Sequence, residues 1–316
     1  MGIVRRILVT GASGNIGGEV VTQLHAAGLP VRALSRNPQS SDLPVGTDVV
    51  RGDLTAPDTL DRALDDVAAV LLVWVAPLGA AADAIARIAS RVGRIVFLSA
   101  PIHTAHPFFQ QPNPLRSVHA GVEELIEKSG ARWTFLRPGP FALNCRNWWA
   151  PQIRSGDAVR WFYGSAATAP VHEHDIGAVA VRALCDAKHD GMDYVLTGPQ
   201  SLTQREQVAR IGESLGRTLV FDEMSHATAR RQMLEAVPEW VADMLLNAYA
   251  AAVDRPALIT STIEDVTGTP ARTFGQWATD HAADFAKTQG LPEDAQVTNN
   301  LPRKERIEHT MVLPVS

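Results

Sequence analysis

The chain has 316 residues and a formal net charge of -5, so it lacks the basic surface of a protein that lives on phosphate backbones, and a nucleic-acid function is set aside. That length suits one large α/β domain with a smaller appendage, or two joined domains, with a core that needs no disulfide or structural metal. The two cysteines, Cys145 and Cys185, lie far apart and have no companions at zinc-ligand spacing, so a reducing cytoplasm is the simplest compartment.

The opening residues lead at once into Ile7-Leu8-Val9-Thr10, too short an apolar run for a signal peptide. The longest apolar stretch, Val67 to Ala82, contains Pro77 and Gly79 and reads as a buried strand and loop, so no membrane span is expected.

Arg6 to Thr10 reads as a first strand and Asn15 to Ala27 as a helix ended by Gly28. Val31 to Ser35 and Val49 to Gly52 are the next strands, and Pro57 to Leu64 a short helix. Ala69 to Val75 is a buried fourth strand, Ala80 to Val92 a helix and Arg94 to Ser99 the fifth strand. This alternation predicts an α/β fold, a Rossmann-type parallel sheet with helices on both faces. His119 to Ser129 is helical, Trp133 to Leu136 extended, and Arg137-Pro138-Gly139-Pro140 turns sharply.

Beyond that turn the pattern changes. Phe141 to Gly164 mixes aromatics, asparagines and glycine without clear periodicity, whereas Asp175 to Ala187 is a clean helix, Tyr194 to Leu196 a strand and Thr203 to Leu215 a helix. Glu223 to Leu258 and Pro270 to Lys287 read as mainly helical. The expected organisation is a core over residues 1–139 to which residues from about 165 to 200 return. Residues 140–164 and 201–291 then make a small, mainly helical substrate lobe, and 292–316 a tail that is mobile or packed on a partner. Trp148, Trp149, Trp161, Trp240 and Trp277 all follow Gly139, and their rings suit either a broad apolar ligand or core packing.

Chemistry begins at Thr10-Gly11-Ala12-Ser13-Gly14-Asn15-Ile16-Gly17, a G-x-x-G-x-x-G turn between a strand and a helix. Gly11 permits the tight turn, Gly14 removes a Cβ where a pyrophosphate meets the backbone, and Gly17 lets the helix approach the sheet. Free N–H groups in the first turn of the helix face the phosphate charge. At the end of the second strand, where an NAD site places an acid, stand Ser35 and Arg36; a guanidinium there suits a 2'-phosphate, so the expected cofactor is NADP(H). Asp53, after the third strand, either accepts from the adenine amino group or caps the helix near Pro57.

With these motifs go Gly52-Asp53-Leu54, the run Trp133 to Gly139, His174-Asp175-Ile176-Gly177, and Arg272-Thr273-Phe274 with Trp277 and Asp280-His281. The set resembles the atypical short-chain dehydrogenase/reductases, the group of the NmrA-like proteins and the NADPH-dependent quinone and triphenylmethane reductases, over almost the whole chain to about Leu291. The resemblance implies a nicotinamide channel lined by Val75-Ala76-Pro77 and Ser99-Ala100-Pro101, and a substrate pocket closed by the Pro138 to Asn144 loop.

Ordinary reductases of the wider superfamily use a tyrosine and a lysine on the helix after strand five, with a serine at the end of that strand. Aligned on Glu123, the matching helix has Leu115 and His119 in place of that pair, and Ser99 stands at or near the serine position. The catalytic candidates are therefore His119, Ser99 and His103. His119 either donates a proton from a pKa near neutrality, holds the nicotinamide ribose, or is a solvent-side polar residue. His103 and His106 lie in the loop Ile102 to Pro114, which begins at the carboxyl end of a parallel strand, where open sheets bind ligands. The expected substrate contacts are Pro101, Phe108, Phe141, Asn144, Trp148, Trp161 and His172. His172, His174 and Asp175 are too few for a metal site, and Asp175 reads as a helix N-cap.

These readings converge on an NADPH-dependent reductase of a conjugated or aromatic carbonyl, such as a quinone, acting on a small aromatic molecule as a monomer or homodimer without a membrane partner. A non-catalytic NADP-binding regulator and a redox-neutral enzyme of polyketide-like tailoring are the alternatives.

Overall fold

The computed structural model describes residues 6–38 and 43–287; the tail at 292–316 lies outside the described residues. Strands β1 (Arg6–Val9), β2 (Val31–Ser35), β3 (Asp48–Arg51), β4 (Val67–Val73), β5 (Arg94–Leu98) and β6 (Arg132–Pro138) come first in the chain. Two short outlying strands, β7 (Ala158–Trp161) and β8 (Ala167–Thr168), precede β9 (Met192–Leu196). Strands one to six and β9 form a single seven-stranded sheet in the order β3-β2-β1-β4-β5-β6-β9, and every pairing in it is parallel. The order reverses between β1 and β4, and a crevice at the carboxyl ends of the strands is where such a sheet binds ligands.

Helices cover both faces, which is why β4 reads Val-Ala-Ala-Val-Leu-Leu-Val instead of alternating. The helices are α1 (Asn15–Ala26), α2 (Asp61–Leu64), α3 (Ala81–Ala89), α4 (Pro114–Lys128), α5 (Leu143–Ser155) and α6 (Glu173–Cys185). Val20, Leu24, Val179 and Ala183 bury α1 and α6 against one face, and Ile85, Ile88, Val122 and Ile126 bury α3 and α4 against the other.

The rest of the chain builds the lobe. Strand β10 (Leu202–Thr203) pairs antiparallel with β8, and β11 (Val220–Glu223) pairs parallel with β7. Helices α7 (Gln204–Ser214), α8 (His226–Leu234), α9 (Glu239–Ala251), α11 (Phe274–Asp280) and α12 (Ala282–Phe285) pack with α5 around Trp149, Phe162, Trp277 and Phe285. The short α10 (Thr262–Thr267), expected in the lobe, instead buries Ile263 and Val266 against the sheet face that α1 and α6 cover.

Two elements differ from their sequence reading. Helix α4 starts at Pro114 instead of His119, because Asn113 caps it by accepting from Leu115 N at 2.9 Å and proline suits the first helical position. Helix α5 fills the stretch read as irregular: Cys145, Trp148, Trp149 and Ile153 recur at helical spacing and bury one face, outweighing Pro151 within it.

Candidate functional site

The glycine turn leaves β1 at the crevice. Thr10 is buried and clamps the turn to the neighbouring strand: its Oγ1 accepts from Val73 N at 2.7 Å and donates to Val73 O at 3.2 Å. Gly11 has φ +60, and a Cβ on Gly17 would stand 2.2 Å from Gly11 O, so helix and turn touch backbone to backbone. A Cβ on Gly14 would meet only Gly11 O, at 3.2 Å, which leaves its outer side open. Gly14 is also the N-cap of α1 and offers no capping side chain to the first-turn N–H groups of Asn15, Ile16 and Gly17. Ser13 is exposed beside them. An open glycine cradle with uncapped donors fits a pyrophosphate.

Arg36 is exposed at the end of β2 next to Ser35, whose Oγ accepts from Asn37 N at 3.1 Å. The carboxylate of Asp53 closes its own turn, accepting from Thr55 N and Thr55 Oγ1, both at 2.8 Å, and does not cap the helical turn at Pro57. At the end of β4, Val75 is 45 % exposed while Ala76 is buried and Pro77 open to solvent.

A cavity of about 230 Å³ opens between the carboxyl ends of β5 and β6, the inner face of α4, and the lobe helices α5 and α9. It brings together Ser99, Pro101, Phe108, His119, Pro138, Phe141, Asn144 and Trp148 of the residues anticipated from sequence. Sequence reasoning missed Arg116, Met244 and Tyr249 on its wall. The Asn113-Pro114 start signal would have put Arg116 one turn before His119; Tyr249 carried no local signal, since α9 reaches the cavity only through the packing of the lobe.

Beneath the cavity lies a buried ionic cluster. Glu123 of α4 accepts from Arg137 Nε at 3.0 Å and Nη2 at 2.8 Å, and Ser99 Oγ donates to Glu123 Oε1 at 2.6 Å. The Arg137 guanidinium also meets Asp193 of β9 at 2.9 Å. The Ser99 proton therefore points to an acid below the cavity floor. His119 is 7 % exposed, packs 5.9 Å from the Phe97 ring, and its Nδ1 has no hydrogen-bond partner. Burial drives its pKa down, Glu123 opposes this only in part, and the imidazole ends at about 4. The expected titration near neutrality and the solvent-side placement are both corrected by this burial.

Other anticipated residues lie elsewhere. Trp161 stacks behind Trp148, ring centroids 5.6 Å apart, in the lobe core and not on the cavity wall. His172 caps α6, Nδ1 accepting from His174 N at 3.1 Å, while Asp175 sits further in and accepts from Arg272 N at 2.7 Å; the N-cap is His172, not Asp175. His172 also faces Glu173 and Asp280, each at 3.3 Å, and is away from the cavity. His103 is largely exposed, 3.9 Å from Glu123, and His106 meets Pro256 O at 3.1 Å. Among the described residues no group of three His, Cys, Asp or Glu side chains is placed to hold a metal ion, and no helix is long and apolar enough to cross a membrane.

Known proteins share this sequence pattern and fold. A family model described as NAD(P)H-binding fits residues 11–187, which include the glycine turn and the cavity floor. The chain is 37 % identical over 290 residues to a (4-alkanoyl-5-oxo-2,5-dihydrofuran-3-yl)methyl phosphate reductase of Streptomyces griseus subsp. griseus, covering 89 % of this chain and 99 % of the relative. It is 33 % identical over 285 residues to an NAD(P)H azoreductase of Xenophilus azovorans, covering 88 % and 99 %. The fold is similar to that of Citrobacter sp. triphenylmethane reductase, with a TM-score of 0.72 at 23 % identity over 88 % of this chain and 99 % of that one. The chain belongs to the NAD(P)H-binding, NmrA-like group of atypical short-chain dehydrogenase/reductases and is an NAD(P)H-dependent oxidoreductase.

Proposed function

We propose that this chain is an NADPH-dependent reductase that delivers hydride to a small conjugated acceptor, a quinone or an unsaturated carbonyl. One observation carries the reading: the described residues that line the cavity are mostly aromatic and aliphatic, and none of them readily yields a proton at neutral pH. Leu115 stands where a catalytic tyrosine would be, His119 is neutral well above its pKa of about 4, and the Ser99 proton is committed to Glu123. Burial raises the Tyr249 phenol far above its ordinary value, which weakens it as an acid. An isolated ketone reduced there forms a strongly basic alkoxide and needs a proton at once. A conjugated acceptor spreads the same charge and can take its proton from water afterwards.

The Gly11 to Gly17 turn would hold the cofactor's pyrophosphate, and Arg36 with Ser35 its 2'-phosphate. Bound nicotinamide supplies the hydride, the two electrons of the reduction. Trp148, Phe108 and Phe141 offer flat walls for the acceptor, and the lobe helices α5 and α9 line one side of the cavity. His119 takes part as a neutral imidazole, a hydrogen-bond partner with no net charge. The names of two relatives support the reading, since an alkanoyl-oxo-dihydrofuran is a conjugated carbonyl and an azo compound a conjugated acceptor.

The test is NADPH oxidation with 1,4-naphthoquinone, a conjugated enone and cyclohexanone. Turnover of the first two and little of the third is expected. Tight NADPH binding without turnover of the first two would overturn the conjugated-acceptor reading.

A further inference from the structure

Arg116 is the one formally charged side chain among the described residues that line the cavity. Its guanidinium donates to two backbone carbonyls, Phe109 O from Nη1 at 3.3 Å and Ile102 O from Nη2, and makes no ion pair among the described residues. Glu123, the acid on the inner face of α4, is already satisfied by Arg137 and Ser99, and Glu124 and Glu127 face solvent. Carbonyl oxygens satisfy hydrogen bonds without neutralising charge. The cavity therefore holds a half-buried cation with no ionic partner among the described residues, set against mostly apolar walls.

The neighbours of Arg116 are built toward the same space. Arg116 and His119 are three residues apart on one face of α4, Asn113 is the N-cap one turn earlier, and all three line the cavity. Asn113 Oδ1 is taken by Leu115 N, which leaves its amide N–H groups as donors. His119, more than nine-tenths buried, has a nitrogen without a partner. Two of the five guanidinium N–H hydrogens of Arg116 go to carbonyls, and the others have no partner among the described residues.

Resting on the reductase reading, we propose that the acceptor bears an oxyanion, a phosphate monoester, sulfonate or carboxylate, which binds Arg116 beside the Asn113 amide while the conjugated system lies against Trp148 and Phe141. Arg116 then sets substrate class and register. The planar guanidinium fork suits such a group better than any other side chain does.

The experiment compares kcat/KM for 1,4-naphthoquinone-2-sulfonate and 1,4-naphthoquinone in wild type, Arg116→Met and Arg116→Lys. Dividing one substrate by the other within each protein cancels the different intrinsic reactivity of the two quinones. The proposal expects the sulfonate-to-neutral ratio to fall about tenfold or more in Arg116→Met and to recover in part in Arg116→Lys. A guanidinium that only pins the Ile102 to Phe109 loop would lower both substrates alike, and an unchanged ratio overturns the proposal. Titration of 1-naphthyl phosphate, 2-naphthoate and neutral 2-naphthol against the NADPH-loaded protein separates the anion types and needs no turnover. If neither quinone is reduced, the reductase reading fails by itself. The anion proposal is then decided by this titration: selective weakening of the two anions in Arg116→Met supports it, and equal affinities in both proteins overturn it.

Discussion

Ser99 Oγ donates to Glu123 Oε1 across 2.6 Å, joining the end of β5 to the middle of α4 directly under the cavity. The serine that the wider superfamily aims at substrate is here part of a buried ionic cluster with Arg137, whose guanidinium also reaches the exposed Asp193. Glu123→Gln should therefore leave a buried guanidinium short of one charge and cost stability, by less than the about 3–5 kcal/mol of a fully uncompensated buried charge, because Asp193 still faces Arg137. Ser99→Ala should cost less, about 1.5–3 kcal/mol, the worth of a hydrogen bond to a charged group, and lower kcat by less than tenfold. Thermal unfolding and steady-state rates on one quinone read both; a loss above a hundredfold in Ser99→Ala would return the serine to catalysis.

His119→Ala should retain NADPH binding and lower kcat on a quinone by roughly tenfold, below the about 10²- to 10⁴-fold of an essential general acid. Because burial holds the imidazole down to about 4, its titration lies at the acid edge. The wild-type rate should show no inflection from His119 between pH 6 and 9. It should fall only as the pH approaches 4, where the ring becomes charged. Stopped-flow hydride transfer across that range decides it, and an inflection near 6.5 that vanishes in the variant would contradict the buried, neutral assignment.

Cofactor choice tests the end of β2. Arg36→Ala should weaken NADPH by about 1.5–3 kcal/mol, the worth of a charge-assisted hydrogen bond, and leave NADH almost unchanged. Equal losses for both cofactors in parallel fluorescence titrations would show that Arg36 does not meet the 2'-phosphate.

The two later glycines of the turn should fail differently. Gly14→Val adds bulk on the side that is open in the structure, so the protein should fold and lose either cofactor. In Gly17→Ala the new Cβ would stand 2.2 Å from Gly11 O, so the helix must move off the turn and folding itself should suffer. Circular dichroism separates the two, and a Gly17→Ala protein of wild-type stability would count against the backbone packing described.

A last prediction concerns pH and the contact between the α6 N-terminus and the lobe. His281 Nε2 meets Glu173 Oε1 at 2.5 Å and His281 Nδ1 meets Asp284 Oδ2 at 3.1 Å. Burial lowers the His281 pKa, but the two carboxylates outweigh it and the result is a raised value. Burial pushes Glu173 up, yet its contacts with His172 and His281 hold it down to about 2. A raised histidine contributes stability below its ordinary 6.5 and loses it as pH climbs through the folded value. A depressed carboxylate contributes above its ordinary 4.5 and loses it as pH falls toward 2. The pair is therefore strongest between about pH 4.5 and 6.5. Glu173→Gln should lower stability there by about 3 kcal/mol and flatten the decline of Tm between pH 6 and 9. An equally steep decline in the variant would remove the pair as its cause.

The sequence by itself determined the Rossmann-type half of this protein, because its signals are local. A glycine turn between one strand and one helix, short apolar runs bounded by turn signals, and an arginine where an NAD site places an acid are each read from a few adjacent residues. The cavity floor was legible for the same reason, since Ser99, Pro101 and Pro138 end adjacent parallel strands. Tertiary structure alone decided the rest. That Trp148 faces the cavity while Trp161 stands behind it depends on how α5 seats against β7, and neither residue's neighbours in sequence encode it. The charge state of His119 follows from burial between α4 and the sheet, and the fate of the Ser99 proton from a side chain 24 residues away. Burial and electrostatic pairing are properties of groups brought together across the chain, so they exist only once the chain is folded.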